Sequence, residues 1–430
     1  MLKRLEFENS YCYRNRVVFD MSADMKEYNG SFIPKDAELS GCVYHPGGKR
    51  GILPVAAIYG KNAGGKTKLI HTMHDMASDA LGDSYNRAVA FSSMSPYEQI
   101  YRQRAFSFAD KKKTKIFYSV CVIPKGSDKE YLLEYSLGSN GVTSEKVAQR
   151  GLRIKDDFEL LYERSGSKVD SGVDKSINEY TQLLKLRKGK RLWFSQIAPS
   201  HKGLSRLYEW FRYVRDGVDF NDTNHQESKL EEVARRIADE KDEPFRKMLL
   251  SCLKALDTSI TNVTGEKAND MYYLWVFHRK ADNEDSYHAP WIMNESDGIR
   301  KFIEQLPVIA QSLEKGMPFI CDEFDRKMHP VAFRQLVWLF NDKDTNPNGA
   351  QLIFTAHDTI ALDSNFLRRD EVHIVDKDMN STSHIKRLSE HPEASYYPDM
   401  EFDFRKGVYD SIPGDLSECF KMAGETDGEA

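Results

Sequence analysis

Between Gly60 and Thr67 the chain reads Gly-Lys-Asn-Ala-Gly-Gly-Lys-Thr, which fits the spacing G-x-x-x-x-G-K-[ST]. That spacing constrains the fold on both sides, because it works only between a buried strand and a helix. Pro54 to Tyr59 (PVAAIY) reads as the strand, and Leu69, Ile70, Met73, Met76 and Ala77 form the apolar stripe of the helix. Glycines let successive N–H groups turn inward around phosphate oxygens, and the helix adds its positive N-terminal end. Gly60, Asn62, Ala63, Gly64 and Gly65 are therefore candidates to cradle a phosphate chain. Lys66 is expected to reach the β- and γ-phosphates, and the Thr67 hydroxyl to bind Mg2+. A glycine-rich turn with a chance lysine is the competing explanation, and the strand–loop–helix setting speaks against it.

A phosphate loop needs a carboxylate to organise the metal and often another to activate water. Met317 to Glu323 (MPFICDE) ends an apolar strand with Asp322 and Glu323. Asp322 is expected to hold Mg2+ through water, and Glu323 to act as general base near the γ-phosphate. One strand later, Phe354-Thr355-Ala356-His357 ends at a histidine, whose neutral imidazole can contact the γ-phosphate and the attacking water. Asn294 to Arg300 (NESDGIR) places Ser296 and Gly298 just before a helix, a second anion-binding N-terminus. Each piece has an ordinary alternative: capping carboxylates, a surface histidine, Ser296 as a plain helix cap.

The rest of the chain supplies the frame. Lys115 to Ile123 and Tyr131 to Leu137 read as a hairpin around a Pro124–Asp128 turn. Leu230, Val233, Ala234 and Ile237 give one helical stripe. After Pro244, Phe245, Met248, Leu249, Cys252, Leu253 and Leu256 give another. Met271 to Arg279 is strand-like. Gly298–Leu313 (helix), Met317–Cys321 (strand), Pro330–Phe340 (helix) and Gln351–Thr355 (strand) then alternate, which implies a largely parallel sheet. The expected fold is α/β: a mixed sheet with an N-terminal β-rich lobe, carrying a helical insertion. The expected segments are residues 1–148 (phosphate loop and β-lobe), 149–265 (helical insertion), 266–390 (the carboxylate and histidine half) and 391–430 (an acidic tail).

Composition bounds the function. The chain has 430 residues, 40% of them hydrophobic and 30% charged, enough for a real core. No apolar run is long enough to span a membrane, and Met1 to Glu6 has no apolar leader segment. Cys12, Cys42, Cys121, Cys252, Cys321 and Cys419 are scattered without a CxxC pair, as suits reduced thiols. A cytoplasmic protein is expected. A net charge of −5 argues against a chain-wide nucleic-acid surface. The basic run Lys185 to Phe194 (KLRKGKRLWF) could contact phosphate backbones or an acidic protein, though a solvated helix end is the simpler reading. Lys111 to Lys113 reads as an exposed turn.

Phosphate loop, large insertion, Ser-Asp-Gly before a helix, strand-Asp-Glu, strand-x-x-His: in that order the chain resembles the ABC-type ATPase heads, the class of the SMC and recombination ATPases. The stretches MLKRLEFENSYCYRNRVVFDMSA, IYGKNAGGKT, NESDGIRKFIEQLPVIAQSLEKG, CDEFDRKMHP, AQLIFTAHDTIALD and RKGVYDSIP look more narrowly like the OLD-like AAA family ATPases of bacterial abortive infection and phage defence. Residues 150–265 match little. The resemblance implies a P-loop ABC-type ATPase head that hydrolyses ATP with Mg2+ between two subunits. Lys66, Thr67, Asp322, Glu323 and His357 would act in one copy. Ser296 and Gly298 would meet the γ-phosphate from the other, so a homo-oligomer is expected.

The signature departs from the family's Ser-Gly-Gly. Asp297 puts a carboxylate near a phosphate, which is expected either to slow hydrolysis or to need a basic neighbour such as Arg300 or Lys301. The family's glutamine loop is not evident, with Gln103 the candidate. OLD-family nucleases append a Toprim domain after the ATPase. The stretch after His357 is expected to be too short for one, so a nuclease or toxin effector, Toprim-type among the candidates, is expected as a separate partner, with a phage protein as trigger. Direct contact with nucleic acid is left open. The alternatives are an SMC-like DNA-repair ATPase, disfavoured because the helical stretch is short and broken at Pro244, and a transporter nucleotide-binding domain.

Overall fold

The computed structural model describes residues 1–24, 43–46, 51–91, 95–106, 115–153, 155–166, 168–172, 174–186, 191–220, 226–239, 242–279, 286–289, 295–363, 366–391 and 399–409. Strands β1 (Leu2–Glu8), β2 (Val17–Asp20) and β3 (Val55–Gly60) precede helices α1 (Lys66–Leu81), α2 (Asp83–Phe91) and α3 (Pro96–Arg104). Strands β4 (Ile116–Val122), β5 (Lys129–Gly138), β6 (Gly141–Gly151), β7 (Glu159–Ser165) and β8 (Lys168–Ser171) follow. Next come α4 (Lys175–Leu186), α5 (Phe194–Ile197), α6 (Ser205–Asp216), β9 (Val218–Asp219), α7 (Gln226–Ala238) and α8 (Glu243–Leu256). Strands β10 (Ile260–Ala268), β11 (Met271–Arg279) and β12 (Ser286–Ala289) lead to α9 (Asp297–Lys315), β13 (Pro318–Cys321), α10 (Pro330–Asn341) and β14 (Gln351–Thr355). Strands β15 (Val372–Lys377) and β16 (Ser383–Arg387) and helix α11 (Met400–Arg405) close the described chain.

The central sheet has the order β16-β15-β3-β14-β13-β9. All its neighbours pair in parallel except the β15–β16 edge. The apolar runs of β3, β13 and β14 are buried on both faces, as parallel strands require. Their side chains alternate between two cores. Ala56, Ile58, Ile320, Ile353 and Val375 pack toward α1, α6 and a second, antiparallel sheet of order β2-β1-β4-β5-β6-β7-β8. Val55, Ala57, Tyr59, Phe319, Leu352 and Phe354 pack toward α7–α10 and the small antiparallel sheet β10-β11-β12. The α/β class and the mixed sheet with an N-terminal β-rich lobe are as the sequence predicts.

The stretch 149–265, read from sequence as a helical insertion, carries α4–α8 but also strands. β7 and β8 extend the antiparallel sheet, and β9 pairs with β13 at the edge of the central one. The register of β6 on β7 shifts between Val147 and Ala148, which sets Leu161 outside the pairing. Such a bulge breaks the two-residue alternation that marks a strand. Residues 187–190 of the basic run, residues 111–113 and the tail beyond Tyr409 lie outside the described residues.

A buried ionic cluster joins α3 to α1. The Arg104 guanidinium lies 2.9 Å from Asp75, 2.8 Å from Asp79 and 2.9 Å from the Ser84 hydroxyl. Tyr11 donates to Asp75, and Tyr135 to Asp79 at 3.1 Å. Burial pushes the Asp79 carboxyl up, with Arg104 opposing. Removing one partner of such a cluster strands the others without water. Arg104→Met should destabilise the fold by about 3–5 kcal/mol, read as a lowered urea midpoint with unchanged slope.

Candidate functional site

The register Phe354↔Ala57 and Thr355↔Ile58, with Cys321↔Phe354, brings the carboxyl ends of β3, β13 and β14 to one level. Ligands bind in parallel sheets at that edge. A cleft of about 1080 Å³ opens there, lined by Lys61–Lys68, Asp322, Glu323, Thr355, His357 and Gln103 among others. The structure thus gathers Asn62, Ala63, Gly64, Gly65, Lys66, Thr67, Asp322, Glu323 and His357 around one space, and adds Gln103 from α3.

The loop is built from special backbone geometry. Gly60 at φ 147° and Gly65 at φ 123° occupy conformations that side chains rarely tolerate, and Ala63 is left-handed at φ 60°. A Cβ on Gly60 would fall 1.9 Å from the Val375 carbonyl oxygen. No side chain caps the first turn of α1, so its N–H groups are open to an anion. The Lys66 ammonium folds back on the carbonyls of Gly60 and Lys61, at 2.8 and 3.2 Å. Burial lowers its pKa, while Asp322, Glu323 and Asp325 act to keep the proton on.

The outward carbonyls of the loop are held from behind. The Ser383 hydroxyl donates to Gly64 O at 2.6 Å, and the buried Tyr13 hydroxyl to Gly65 O at 3.0 Å. Ser383 N donates to Cys12 O at 2.8 Å, which ties the β1–β2 turn to β16. A Cβ on Gly65 would meet Ser383 Oγ at 2.8 Å, Cys12 Sγ at 3.0 Å and Tyr13 Oη at 3.1 Å. The glycine before Lys66 is therefore required by this clasp as well as by its φ.

On the carboxylate side, one hydroxyl orders two residues. Thr355 Oγ1 donates to Asp322 Oδ1 at 2.6 Å and accepts from Glu323 N at 2.7 Å. Asp322 is buried, and Glu323 sits in the left-handed region at φ 49°. Phe324 anchors that bend: it is fully buried against Phe319, Phe333 and Phe354, with ring centroids 5.6–5.9 Å away. His357 Nε2 stands 3.8 Å from Glu323 Oε1. Asp325 Oδ2 accepts from the N–H groups of His357 (2.8 Å) and Asp358 (2.6 Å), which fastens the loop after β14 to the turn after β13.

Ser296 and Gly298 line a different cleft, of about 670 Å³, with Asp257, Thr258, His329 and Gln335. It shares no lining residue with the first. Ser296 caps α9, its hydroxyl accepting from Ile299 N at 3.3 Å. The basic neighbours of Asp297 are Arg300, as expected, and Lys327, whose Nζ lies 3.1 Å away. Lys327 first, and Arg300 with it, hold the Asp297 carboxyl below its usual range. Lys301 is corrected: it turns inward and pairs with Asp219 at 3.3 Å, because its turn of α9 faces β9. Gly298 admits the Lys327 carbonyl, which would stand 3.0 Å from a Cβ there.

Thr355, Asp325, Tyr13 and Ser383 are not evident in the sequence. Their partners, backbone groups and for Thr355 also the Asp322 carboxylate, are brought close only by folding, and no spacing rule marks them. A comparison with protein families matches residues 55–363 to the family described as "AAA domain, putative AbiEii toxin, Type IV TA system". That span holds every residue of the two clefts named above except those of the clasp. Among solved structures, two of the recombination mediator protein RecF, titled as its ATP and ATPrS forms in the RecFOR pathway, overlap at 11% and 10% identity. They cover 84% and 90% of this chain and 94% and 98% of theirs, with TM-scores of 0.33 and 0.32. Overlap that loose decides nothing about this chain. No curated protein matches it.

The clasp makes a direct prediction. Each hydroxyl supplies one hydrogen bond of about 0.5–1.5 kcal/mol. Tyr13→Phe combined with Ser383→Ala should weaken nucleotide affinity about tenfold, measured by titration calorimetry, with Ser383→Thr restoring its share.

Proposed function

The chain belongs to the AAA-domain family that matches it, with the mixed α/β fold of a P-loop ABC-type ATPase head, and on that premise we propose that it binds ATP with Mg2+ and hydrolyses it between two copies of itself. The separation of the two clefts carries this reading. The phosphate loop, the Asp322–Glu323 pair and His357 share one cleft, while Ser296 and Gly298 open into another. A nucleotide cradled by one copy then meets the signature of a second.

On this reading the roles are as follows. N–H groups of the Gly60–Gly65 loop and of α1 receive the phosphate oxygens, and Lys66 exchanges its two carbonyl contacts for the β- and γ-phosphates. Thr67 and Asp322 are the residues that would hold Mg2+, which when bound offsets charge on the phosphate oxygens. A hydroxyl and one buried carboxylate suit an ion that Mg2+ sites usually share with substrate phosphates. Among the described residues no cluster of three or more His, Cys, Asp or Glu side chains gathers for a metal held by protein alone. Glu323 accepts a proton from water as the water oxygen bonds to the γ-phosphorus and the bond to the bridging oxygen breaks. Thr355 keeps the Glu323 backbone in place for this. His357, steadied through Asp325, contacts the γ-phosphate and the water. Gln103 is the glutamine that senses the same cleft from α3. In the second copy, Arg300 and Lys327 offset the repulsion between Asp297 and the incoming phosphate.

At the level of the cell, the family description and the resemblance to OLD-like ATPases support an oligomeric sensor or scaffold of anti-phage defence. It would restrain and release a separate nuclease or toxin effector, Toprim-type among the candidates, in response to a phage trigger protein. A DNA-repair ATPase with coiled-coil arms is less well supported, since α7 and α8 are 13 and 14 residues long. Among the described residues no helix is long and apolar enough to cross a membrane.

Lys66→Ala should abolish ATP binding in calorimetry and any ATP-dependent rise in mass by light scattering; an unchanged assembly would remove the sandwich. Glu323→Gln should bind ATP normally and hydrolyse it about 10²–10⁴-fold more slowly, with wild-type phosphate release removing Glu323 as base. Thr355→Val should raise the Mg2+ needed for half-maximal turnover about 10–100-fold.

A further inference from the structure

Three polar side chains that line neither cleft form a part-buried chain next to the signature in sequence and space. Ser259 Oγ lies 2.9 Å from His278 Nδ1, and His278 Nε2 lies 2.7 Å from Glu295 Oε1. The His278 and Glu295 side chains are 11% and 7% exposed. In the tautomer that carries its hydrogen on Nε2, the ring donates to the Glu295 carboxylate and its Nδ1 accepts a hydrogen bond from the Ser259 hydroxyl. Ser259 is itself fixed at both backbone atoms. Its N–H donates to Asp257 Oδ1 at 2.8 Å, and its carbonyl accepts from Arg279 N at 2.8 Å.

Place matters more than chemistry here. Glu295 immediately precedes the Ser296 cap, and Asp257 and Thr258 line the same cleft as Ser296 and Gly298. Ser, His and Glu are also the set of a serine hydrolase. In this fold, though, Asp257, Thr258 and Ser296 line the cleft, and Ser259 and His278 do not. Behind His278, β11 pairs with β10 along its length, and α7 lies against both. The contact is close: a Cβ on Gly265 of β10 would fall 2.0 Å from the Ala234 carbonyl oxygen of α7. Tyr272 N donates to Glu231 of α7 at 3.3 Å.

We infer that Ser259, His278 and Glu295 are positioning residues for Ser296, pinning the signature to the β10–β11 hairpin. The surface offered to a second copy's nucleotide then moves with that hairpin and the α7–α8 pair packed on it. A protein that shifts α7 can reach the signature through β11 without touching the phosphate loop. This rests on the ATP sandwich proposed above.

The test uses the full chain in a Glu323→Gln background, which traps ATP-bound assemblies. Glu295→Ala and His278→Ala are compared with Ser259→Thr, which keeps the hydroxyl. Affinity for a fluorescent ATP analogue and mass by light scattering are both recorded. The relay predicts that Glu295→Ala and His278→Ala bind the analogue within about twofold of the parent, yet need about tenfold more protein to assemble. Ser259→Thr assembles like the parent. If both alanine variants assemble like a parent that does dimerise, the relay is wrong and the sandwich stands. If analogue affinity falls in step with assembly, the trio is general scaffolding and the inference is overturned. A parent that stays monomeric with ATP overturns the sandwich, and the relay's role with it.

Discussion

The phosphate loop can aim its N–H groups into the cleft only because its carbonyl oxygens are satisfied elsewhere. Every peptide that turns its donor inward turns its acceptor outward, and a buried acceptor without a partner costs about as much as a lost hydrogen bond. Here the carbonyl of Gly64 meets the Ser383 hydroxyl, that of Gly65 meets the Tyr13 hydroxyl as well as Leu69 N, and those of Gly60 and Lys61 meet the Lys66 ammonium, Lys61 O also accepting from Gly64 N. The two bonds from Lys66 are the ones that the proposed ATP binding would exchange for phosphate. The Tyr13 and Ser383 hydroxyls come from the β1–β2 turn and from β16, more than 300 residues apart in sequence. The loop is thus held from the β1–β2 turn and from β16, so its shape joins the antiparallel lobe to the central sheet.

The carboxylate half of the cleft depends on the same sheet in another way. Pairing β14 between β3 and β13 sets Thr355 beside Asp322 and Glu323. Asp325 then links the turn after β13 to the loop that carries His357. The left-handed backbone of Glu323 is offset by the burial of Phe324 and the bond to Thr355. These contacts join two strand ends into one rim, which under the proposed function would pre-organise water activation.

Much of this is legible in the sequence, for definite reasons. The loop, β3 and α1 show because glycine spacing and helical periodicity are both local signals. Asp322, Glu323 and His357 show because each follows a short apolar strand. β7 stays hidden because the bulge at Leu161 breaks its alternation. β9, two residues long, leaves no pattern at all. Lys301 misleads and Lys327 goes unmarked for one reason: nearness in sequence to Asp297 says nothing about which way a turn of α9 faces. Tyr13 and Ser383 act on backbone carbonyls, and Thr355 on the Asp322 carboxylate and the Glu323 N–H, all distant in sequence, so no residue pattern announces them.

The two clefts give the structure its main functional consequence. The phosphate loop with Asp322, Glu323 and His357 faces one space and Ser296 with Gly298 another, which is why the proposed reaction needs two copies. The most direct measurement is complementation by mixing Lys66→Ala with Ser296→Arg. Each variant alone lacks one half of every site and should be inactive. Mixed, half of the dimers join the intact phosphate loop of one copy to the intact signature of the other, so phosphate release should return to about a quarter of the wild-type rate. A mixture as inactive as its components would contradict a site shared between copies.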